Sequence, residues 1–365
     1  MRIPLRADWE QKIPKTPRVY PLGNDVKKVV DKVFDKLHSQ KRLDWTSEST
    51  PFSFPVFVVW KTLPDGSRKG RPVIDIRGLN AVTLPDVYPL PLQSDLIAAV
   101  KDCGYLSVID CASFFYQWRV HPEDRHKLTV ISHRGQETFN VAVIGFKNSP
   151  AYVQRQIDRV LRPFRTFARA YVDDVVIFSR SLKEHHVHLS KVFSLFQSNG
   201  ISVNPAKAFL GYPSVHLLGQ KVNSFGLSTA DDKLEAISQL DFPRTLSQLE
   251  TYLGMTGWLR NYVPNYAAIT KPLQDRKTLL LATAPRAGNE RKAYARKTRV
   301  DEPSPAEHAA FTTLQKKLST PSFLTHFDCA STLYIDLDAS KAFGFGAMVY
   351  HISGHVEDGE YPRRT

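Results

Sequence analysis

The chain has 365 residues, a length that allows two or three domains. Hydrophobic residues make up 42% of the sequence, which allows substantial cores and argues against wholesale disorder. Its 49 Lys and Arg residues against 36 Asp and Glu give a formal net charge of +13. That balance suits either an ordinary basic protein or one that binds a polyanion such as nucleic acid.

Cysteine and histidine spacing gives little support for a disulfide framework or a zinc site. Cys103, Cys111 and Cys329 are widely separated, and no CxxC pair occurs. The histidines at 185, 186 and 188 have no Cys or acidic residue at metal-ligand spacing. We interpret them as a solvated stretch at the start of a helix.

Apolar runs are too short for a membrane protein. None reaches the ~20 residues that a transmembrane helix needs. Residues 1–8 lack the apolar core of a secretory signal. The sequence therefore predicts an intracellular protein, cytoplasmic or nuclear, with no membrane partner.

The first half of the chain predicts short strands and helices around a hairpin. Residues 1–50 form a polar, Pro-containing arm with one helix, where apolar residues from Val26 to Leu37 recur at helical spacing. Residues 54–60 and 73–76 read as two strands joined by a basic loop rich in Pro and Gly. The elements predicted next are a helix at 95–101, strands at 105–110 and near 128–131 and 138–143, and a helix at 149–160.

The second half opens with the clearest hairpin of the sequence. Its strands are 166–170 and 175–178, and its turn is Tyr171-Val-Asp-Asp174. The elements predicted after it are a helix at 183–198, strands near 207–211 and 215–222, helices within 229–270 separated by Pro243, a basic linker at 276–305, and a last unit from 306 with a helix, a strand at 332–337 and a Gly-rich hairpin.

Two acids stand where apolar strands end. Asp110 follows Val108 and Ile109, and Asp173 lies at the tip of the hairpin. Carboxylates brought together there repel one another unless a cation intervenes, and two Mg²⁺ ions held by carboxylates can catalyse phosphoryl transfer. Taken singly, each acid has a simpler explanation, as a turn residue or a helix N-cap. The two strands together, with Tyr171 in the turn, favour a two-metal site.

In its motifs the chain resembles the reverse transcriptases of long-terminal-repeat retrotransposons, specifically the Ty3/gypsy-like group. The resemblance runs in order over about residues 50–340. The motifs that carry it are Phe54-Pro-Val-Phe-Val-Val-Trp-Lys61, Arg71-Pro-Val-Ile-Asp-Ile-Arg-Gly-Leu-Asn80, Val108-Ile-Asp-Cys-Ala-Ser-Phe-Phe-Tyr-Gln-Trp118, Gly145-Phe-Lys-Asn-Ser-Pro-Ala151, Tyr171-Val-Asp-Asp174, Asn204-Pro-Ala-Lys207, Leu217-Leu-Gly219 and the stretch from Leu249 to Tyr262.

The resemblance implies an α+β, right-hand polymerase fold. Fingers and palm would span 51–228 and thumb-like helices 229–275, between the arm at 1–50 and the linker at 276–305. The implied activity is RNA-directed DNA polymerisation, which joins dNTPs to a primer on an RNA template through an RNA–DNA hybrid. Residues 306–365 resemble the start of an α/β ribonuclease H domain, in which Asp338 would be the first metal carboxylate. The other acids of that site would lie further on, so no ribonuclease H activity is expected of this chain.

The resemblance also implies roles for individual side chains. Asp110, Asp173 and Asp174 would hold two Mg²⁺ ions, or Mn²⁺ in their place. The remaining implied roles are triphosphate binding by Lys61 and Arg71, sugar selection by Phe115, and contact with the template–primer by Gln154, Leu218 and Gly219. Phe115 has a simpler alternative role in core packing, because Phe114 beside it is also aromatic.

Departures from the family pattern leave the metal ligands intact. Phe114 stands where the family has Gly, and Val143-Ile144 precedes Gly145 in place of an aromatic or Pro-Phe. An RNA-directed RNA polymerase shares the paired-Asp turn, but Phe115 argues against it. A catalytically inactive, nucleic-acid-binding remnant of a retroelement is the other alternative. The carboxylates argue against a remnant, and the incomplete last domain argues for it. The sequence does not indicate an oligomeric state.

Overall fold

The computed structural model describes residues 1–13, 19–63, 65–229, 234, 237, 239–319, 323–326, 332–340 and 344–350. The chain divides into two compact units. The first comprises Met1–Leu96 and Tyr105–Gly211, and the second comprises Ile97–Gly104 and the chain from Tyr212 onward. No helix in the described ranges is long and apolar enough to span a bilayer.

The first unit contains two sheets and most of the helices. Its strands are β1 (Leu43–Trp45), β2 (Phe54–Thr62), β3 (Arg68–Ile74), β4 (Tyr105–Asp110), β5 (Thr129–Ser132), β6 (Gly135–Phe139), β7 (Ala168–Tyr171), β8 (Asp174–Ser179) and β9 (Phe209–Tyr212, whose last residue belongs to the second unit). Its helices are α1 (Trp9–Lys12), α2 (Asn24–Ser39), α3 (Arg77–Val82), α4 (Gln93–Ala98, which runs into the second unit), α5 (Ser149–Leu161) and α6 (Leu182–Ser198). The strands form one sheet of order β1-β6-β5-β2-β3 and another of order β7-β8-β4-β9.

Helix α2 packs its apolar stripe into the core of the five-stranded sheet. Val30 and Phe34 are buried there, beside the sheet residues Phe54 and Phe139. The N-terminus joins the same core, since Met1 is buried and its ammonium group donates a 2.6 Å hydrogen bond to the Arg119 carbonyl. Residues expected to form a separate arm at 1–50 therefore include part of the first unit's core.

The hairpin of β2 and β3 confirms the strands predicted on either side of the basic loop. Its register pairs Val59 with Arg71 and Lys61 with Lys69. The strand predicted near 138–143 instead begins at Gly135. A tight turn between β5 and β6 ends there, and Gly135 adopts a φ of 106° that favours glycine.

The four-stranded sheet separates an apolar face from an acidic one. Because alternate strand residues point to opposite faces, Ile109, Val175 and Ile177 share the face that packs against α5 and α6. Asp110 and Asp174 are paired across β4 and β8 on the other face. The strand predicted at 105–110 is confirmed, and its carboxylate lies on the face away from the helices.

The second unit combines helices with an antiparallel sheet. Its strands are β10 (Ser214–Leu217), β11 (Gln220–Asn223), β12 (Gly226–Thr229), β13 (Phe323–Thr325), β14 (Tyr334–Ser340) and β15 (Gly344–Tyr350). Its helices are α7 (Leu246–Trp258), α8 (Tyr266–Leu281), α9 (Gly288–Lys297) and α10 (Pro305–Leu318). Strands β10 to β13 form one sheet in chain order, and β14 pairs with β15. Tyr252 of α7 and Phe311 of α10 contribute to its core, where their rings lie 4.9 Å apart.

The segment 276–305, expected as a basic linker, is largely helical. It holds the end of α8 and all of α9. Ala295 is buried, Arg291 pairs with Glu250 of α7, and the Tyr294 hydroxyl donates to the Leu280 carbonyl at 3.0 Å. One small apolar residue and polar contacts hold α9 in place, so its sequence lacks the apolar stripe by which a helix is recognised.

Candidate active site

A two-residue turn joins β7 to β8 and carries one of the predicted acids. Tyr171 pairs with Asp174 across the hairpin, which leaves Val172 and Asp173 as the turn. Val172 has a φ of 54°, in the left-handed region that costs a residue with a side chain about 1–2 kcal/mol. Such strain persists only where the surroundings enforce it, and it is common at functional sites.

The side chain of Gln154 holds this turn in place. Its Oε1 accepts a 2.7 Å hydrogen bond from the Val172 amide, and its Nε2 donates to the Ala170 carbonyl at 3.1 Å and to Asp158 at 2.9 Å. Gln154 is fully buried in α5. The sequence predicted that Gln154 contacts the template–primer. The structure instead shows its buried amide hydrogen-bonded to the hairpin that carries the acids.

The three predicted carboxylates are close enough to interact electrostatically. Asp174 lies directly opposite Asp110, and the Cys111 amide donates to the Asp173 carbonyl at 2.8 Å. Burial, followed by the charges of Asp173 and Asp110, raises the pKa of Asp174 to about 6. Burial and the same three carboxylates raise the pKa of the Cys111 thiol to about 12. The structure therefore brings the three acids into a single electrostatic cluster.

Lys207 supplies a positive charge to this cluster. Its Nζ lies 3.1 Å from Oδ2 of Asp110, and its charge lowers the pKa of Asp174. The Asn204 amide donates to the Asp110 carbonyl at 2.8 Å and so fixes the loop that carries Lys207. We assigned Lys207 no role from the sequence, although the motif Asn204-Pro-Ala-Lys207 was a signal for one.

The cluster has the donor chemistry for a hard divalent cation. Carboxylate oxygens are the ligands that Mg²⁺ prefers, and it needs only one or two of them beside its waters. The mutual repulsion that raises the pKa of Asp174 is what such a cation would relieve. Within the described part of the chain, no three His, Cys, Asp or Glu side chains are already grouped as metal ligands. A cation bound at Oδ2 of Asp110 would replace the contact of that oxygen with Lys207.

Phe115 stands five residues after Asp110 in a short 3-10 helix, Phe114–Gln117. The buried ring is that of Phe114, which packs edge-on against Trp118 at 5.6 Å. Phe115 is only partly buried. The core-packing alternative thus describes Phe114 better than Phe115, and the role of Phe115 in sugar selection stays a prediction.

The predicted phosphate-binding residues share one face of the β2–β3 hairpin. Lys61 and Arg71 are exposed, and Lys69 lies on the same face because it pairs with Lys61. Among the described residues, no carboxylate pairs with Lys61 or Arg71. Burial raises the pKa of Tyr116, and the charge of Arg71 opposes that rise, so Arg71 lies near the helix that carries Phe115.

A pocket of about 550 Å³ near this hairpin was not predicted. It is lined by Tyr20, Phe57, Ile74, Asp75, Ile76, Arg77, Asn80 and Gly145. Arg77 holds Asp75 with two hydrogen bonds of 2.6 and 2.7 Å, and the Asn80 amide donates to the Gly145 carbonyl. The motif ending in Arg-Gly-Leu-Asn80 was the signal that these residues belong together.

The remaining predicted site residues lie in the second unit. Leu218 and Gly219 form the two-residue turn between β10 and β11, both with positive φ, so they are not part of a strand. Asp338 lies on β14 opposite Gly346. Their proposed roles in primer gripping and in a ribonuclease H site stay predictions.

The histidines of α6 differ from the solvated stretch expected of them. His185 is buried and hydrogen-bonds with Ser107 at 2.6 Å and with Ser179 at 2.8 Å. The ring of His188 stacks on Phe167 with centroids 3.7 Å apart. Burial lowers the pKa of both imidazoles. The expectation was wrong for His185, because the helix packs against the sheet and brings the ring to Ser179 on β8 and to Ser107 on β4, which lies 78 residues earlier in the sequence.

Sequence comparison places residues 63–222 in the family described as reverse transcriptase (RNA-dependent DNA polymerase). The chain is 31% identical over 257 residues to the retrovirus-related Pol polyprotein from transposon 297 of Drosophila melanogaster, covering 70% of this chain and 24% of that protein. It is 30% identical over 228 residues to the enzymatic polyprotein of Cauliflower mosaic virus (strain NY8153), covering 62% and 33% respectively. The chain thus spans about a quarter to a third of these relatives.

Solved structures of foamy viral protease-reverse transcriptase resemble the fold. One, in complex with dsDNA, has a TM-score of 0.76 at 24% identity and covers 96% of this chain and 68% of that one. Another, in complex with an RNA/DNA hybrid, has a TM-score of 0.74 at 22% identity and covers 93% and 45%. These likenesses confirm the polymerase fold, and the ribonuclease H-like unit stays a prediction.

Proposed function

Since residues 63–222 form a reverse transcriptase domain like those of retrotransposon Pol polyproteins, we propose that this chain is an RNA-directed DNA polymerase. The observation that carries the proposal is the cluster of Asp110, Asp173 and Asp174 at a strained, braced turn. The likeness to the Pol polyprotein of transposon 297 and the ordered motifs support the Ty3/gypsy-like assignment. An intracellular site of action, in the cytoplasm or the nucleus, is part of the proposal.

The three carboxylates would hold two Mg²⁺ ions, or Mn²⁺ in their place. Bound there, the ions supply charge that stabilises the attacking and leaving oxygens of phosphoryl transfer. The chain's own part is to hold the carboxylates in place. The β4–β8 pairing sets Asp110 opposite Asp174, and Gln154 fixes the turn that carries Asp173.

The dNTP would lie between the basic face of the β2–β3 hairpin and the helix that carries Phe115. Lys61 and Arg71 are exposed and unpaired within the described residues, which leaves their charges available for a triphosphate. The partly buried ring of Phe115 would exclude a 2′-hydroxyl and so select deoxynucleotides.

The nucleic-acid partner would be an RNA template paired with a DNA or RNA primer. Support comes from the fold shared with reverse transcriptases that were solved with dsDNA and with an RNA/DNA hybrid. The charge of +13 favours such a polyanion. Leu218 and Gly219, at a hairpin turn, would grip the primer.

Primer extension on poly(rA)/oligo(dT) with Mg²⁺ tests the proposal. Wild type should extend the primer, and Asp173→Asn should reduce extension to background, because it removes a charged metal ligand without changing the side chain's shape. Asp25→Asn, at an exposed position of α2, is the matched control and should extend like wild type. Extension that survives Asp173→Asn would refute the mechanism. Duplex binding without extension in the wild type would instead support an inactive remnant.

A further inference from the structure

A pocket of about 310 Å³ lies beside the free edge of β7. Its lining comes from the segment 88–96, the end of α5, the turn after it and β7 itself. None of the three carboxylates, the basic hairpin face or Phe115 contributes to it. The volume is at the lower end of the range for small-ligand sites, about 300–1,000 Å³.

Three arginines of this pocket have no carboxylate partner. Arg162 and Arg165 are exposed and Arg169 is partly buried. Within the described ranges none of the three forms an ion pair, and the contact of Arg169 with the Ala168 carbonyl is long, at 3.4 Å. Burial and the charge of Arg165 lower the pKa of Arg169. Neighbouring guanidinium groups therefore repel one another here, and an anion between them would remove that repulsion.

The two acids of the pocket are engaged elsewhere. Asp158 accepts a 2.6 Å hydrogen bond from the Tyr88 hydroxyl on one oxygen and a 2.9 Å bond from Gln154 on the other. Asp95 accepts a bond of 3.4 Å from Ser94. Because neither acid pairs with an arginine, the guanidinium donors of the pocket remain available to a ligand.

The sheet register places Arg169 on the acidic face. Arg169 and Tyr171 alternate with the buried Ala168 and Ala170, and Tyr171 pairs with Asp174. The face that holds Arg169 is therefore the face that holds Asp174 and Asp110. Arg169 lies two residues before Tyr171, about 7 Å along a strand at ~3.3 Å per residue, and the turn with Asp173 follows Tyr171 directly. A polymer chain lying along this face can contact both positions.

We propose that this arginine pocket binds a phosphodiester group of the nucleic acid whose end is held at the carboxylates. The inference rests on the proposed polymerase function, since that function supplies the polymer. Guanidinium groups bind phosphate oxygens in pairs of parallel hydrogen bonds, which favours arginine over lysine at such a site. A phosphodiester suits the site better than an acidic peptide, because Arg169 lies on the strand that leads into the turn of Asp173, where the proposed function places the end of a nucleic acid.

Equilibrium binding tests the pocket without requiring catalysis. The pocket variant is Arg162→Gln/Arg165→Gln/Arg169→Gln, and the matched control is Arg180→Gln/Lys183→Gln/Lys191→Gln, which removes the same charge from exposed positions of the same unit. Binding of a fluorescein-labelled RNA–DNA duplex is measured by anisotropy over a series of KCl concentrations. The pocket variant should bind about tenfold more weakly near 0.1 M salt, and its salt slope should fall by about one. Equal losses in both variants would overturn the proposal, because they would reflect overall charge alone.

A duplex with single ethylated phosphates locates the contact. Neutralising one phosphate should weaken wild-type binding at a position near the primer terminus and leave the pocket variant unaffected there. Equal sensitivity of both proteins at every position would refute a phosphate contact in the pocket. Displacement of the duplex by inorganic phosphate or by poly-glutamate at matched ionic strength would also refute it, as it would indicate a free-anion or acidic-peptide site. Thermal unfolding of both variants checks that they are folded.

The duplex-binding result for the pocket can be told apart from the primer-extension result for the proposed function. A wild type that binds the duplex through the pocket but extends no primer would refute the polymerase activity and keep the phosphate site. A wild type that extends the primer while the pocket variant binds as tightly as the control would keep the activity and refute the site.

Discussion

Gln154→Met tests whether the buried amide positions the catalytic turn. Methionine matches glutamine in length but offers neither the acceptor that Val172 uses at 2.7 Å nor the donor that Ala170 and Asp158 use. The Val172 amide would lose its partner next to a residue already held at a φ of 54°. The turn would then relax, and Asp173 would move relative to Asp110.

The structure sets the size of the expected loss. A buried amide left without a partner costs about 1–3 kcal/mol, and the left-handed turn releases about 1–2 kcal/mol when it relaxes. If the displaced turn weakens transition-state stabilisation by about 1–3 kcal/mol, kcat falls about 5- to 150-fold. The KM for dTTP should change little, since Gln154 touches none of the predicted triphosphate ligands. The Mg²⁺ concentration for half-maximal rate should rise, because the carboxylates would no longer be held together.

Single-nucleotide extension at varied dTTP and Mg²⁺ concentrations separates these effects. Gln156→Met, at a partly exposed position of the same helix, is the matched control and should leave both constants unchanged. Gln154→Glu keeps an acceptor for the Val172 amide and should recover part of the rate. The reasoning is refuted if Gln154→Met keeps kcat and the Mg²⁺ requirement within twofold of wild type, or if Gln156→Met is equally damaging.

Three further predictions concern the gate, the basic hairpin and the buried histidine. Phe115→Val should admit ribonucleotides, so the ratio of kcat/KM for dTTP to that for UTP should fall, and an unchanged ratio would exclude Phe115 as the gate. Lys61→Gln should raise the KM for dTTP several-fold through the loss of a charge-assisted contact, whereas Lys183→Gln on α6 should not; equal KM values would remove Lys61 from the site. Burial lowers the pKa of His185, so its contribution to stability is complete above its ordinary pKa near 6.5 and is lost as the pH falls below it. The melting temperature should decline between pH 7.5 and 5.5, and His185→Gln should flatten that decline; an identical decline in the variant would contradict the assignment.

The features that could be predicted from the sequence depend on local patterns. Strands β4 and β8 are mostly apolar, and the acids stand at the ends of their apolar runs, so the acids meet when the two strands pair. The hairpin of β2 and β3 was equally clear, because its turn residues separate two apolar segments. In the β2–β3 hairpin the paired strands are also neighbours in the chain, whereas β4 and β8 lie far apart in the sequence and each is recognised by its own apolar residues.

The missed features depend on contacts between distant residues. Gln154 looks like an exposed polar residue of a helix until the β7–β8 turn is packed against it, 18 residues away. His185 finds a partner in Ser107, 78 residues earlier. Helix α9 was missed for a different reason, since polar contacts hold it rather than an apolar stripe. None of these partners is visible in the local pattern of a single sequence.

The left-handed backbone at Val172 sets stability against activity at one position. A glycine there would accept the turn without steric cost, and the folded chain would lose a source of strain. The same change would leave the turn freer to move, so the hydrogen bond from the Val172 amide to Gln154 would have more motion to restrain. If the chain is the polymerase that we propose, fold stability and catalytic rate favour different residues at position 172.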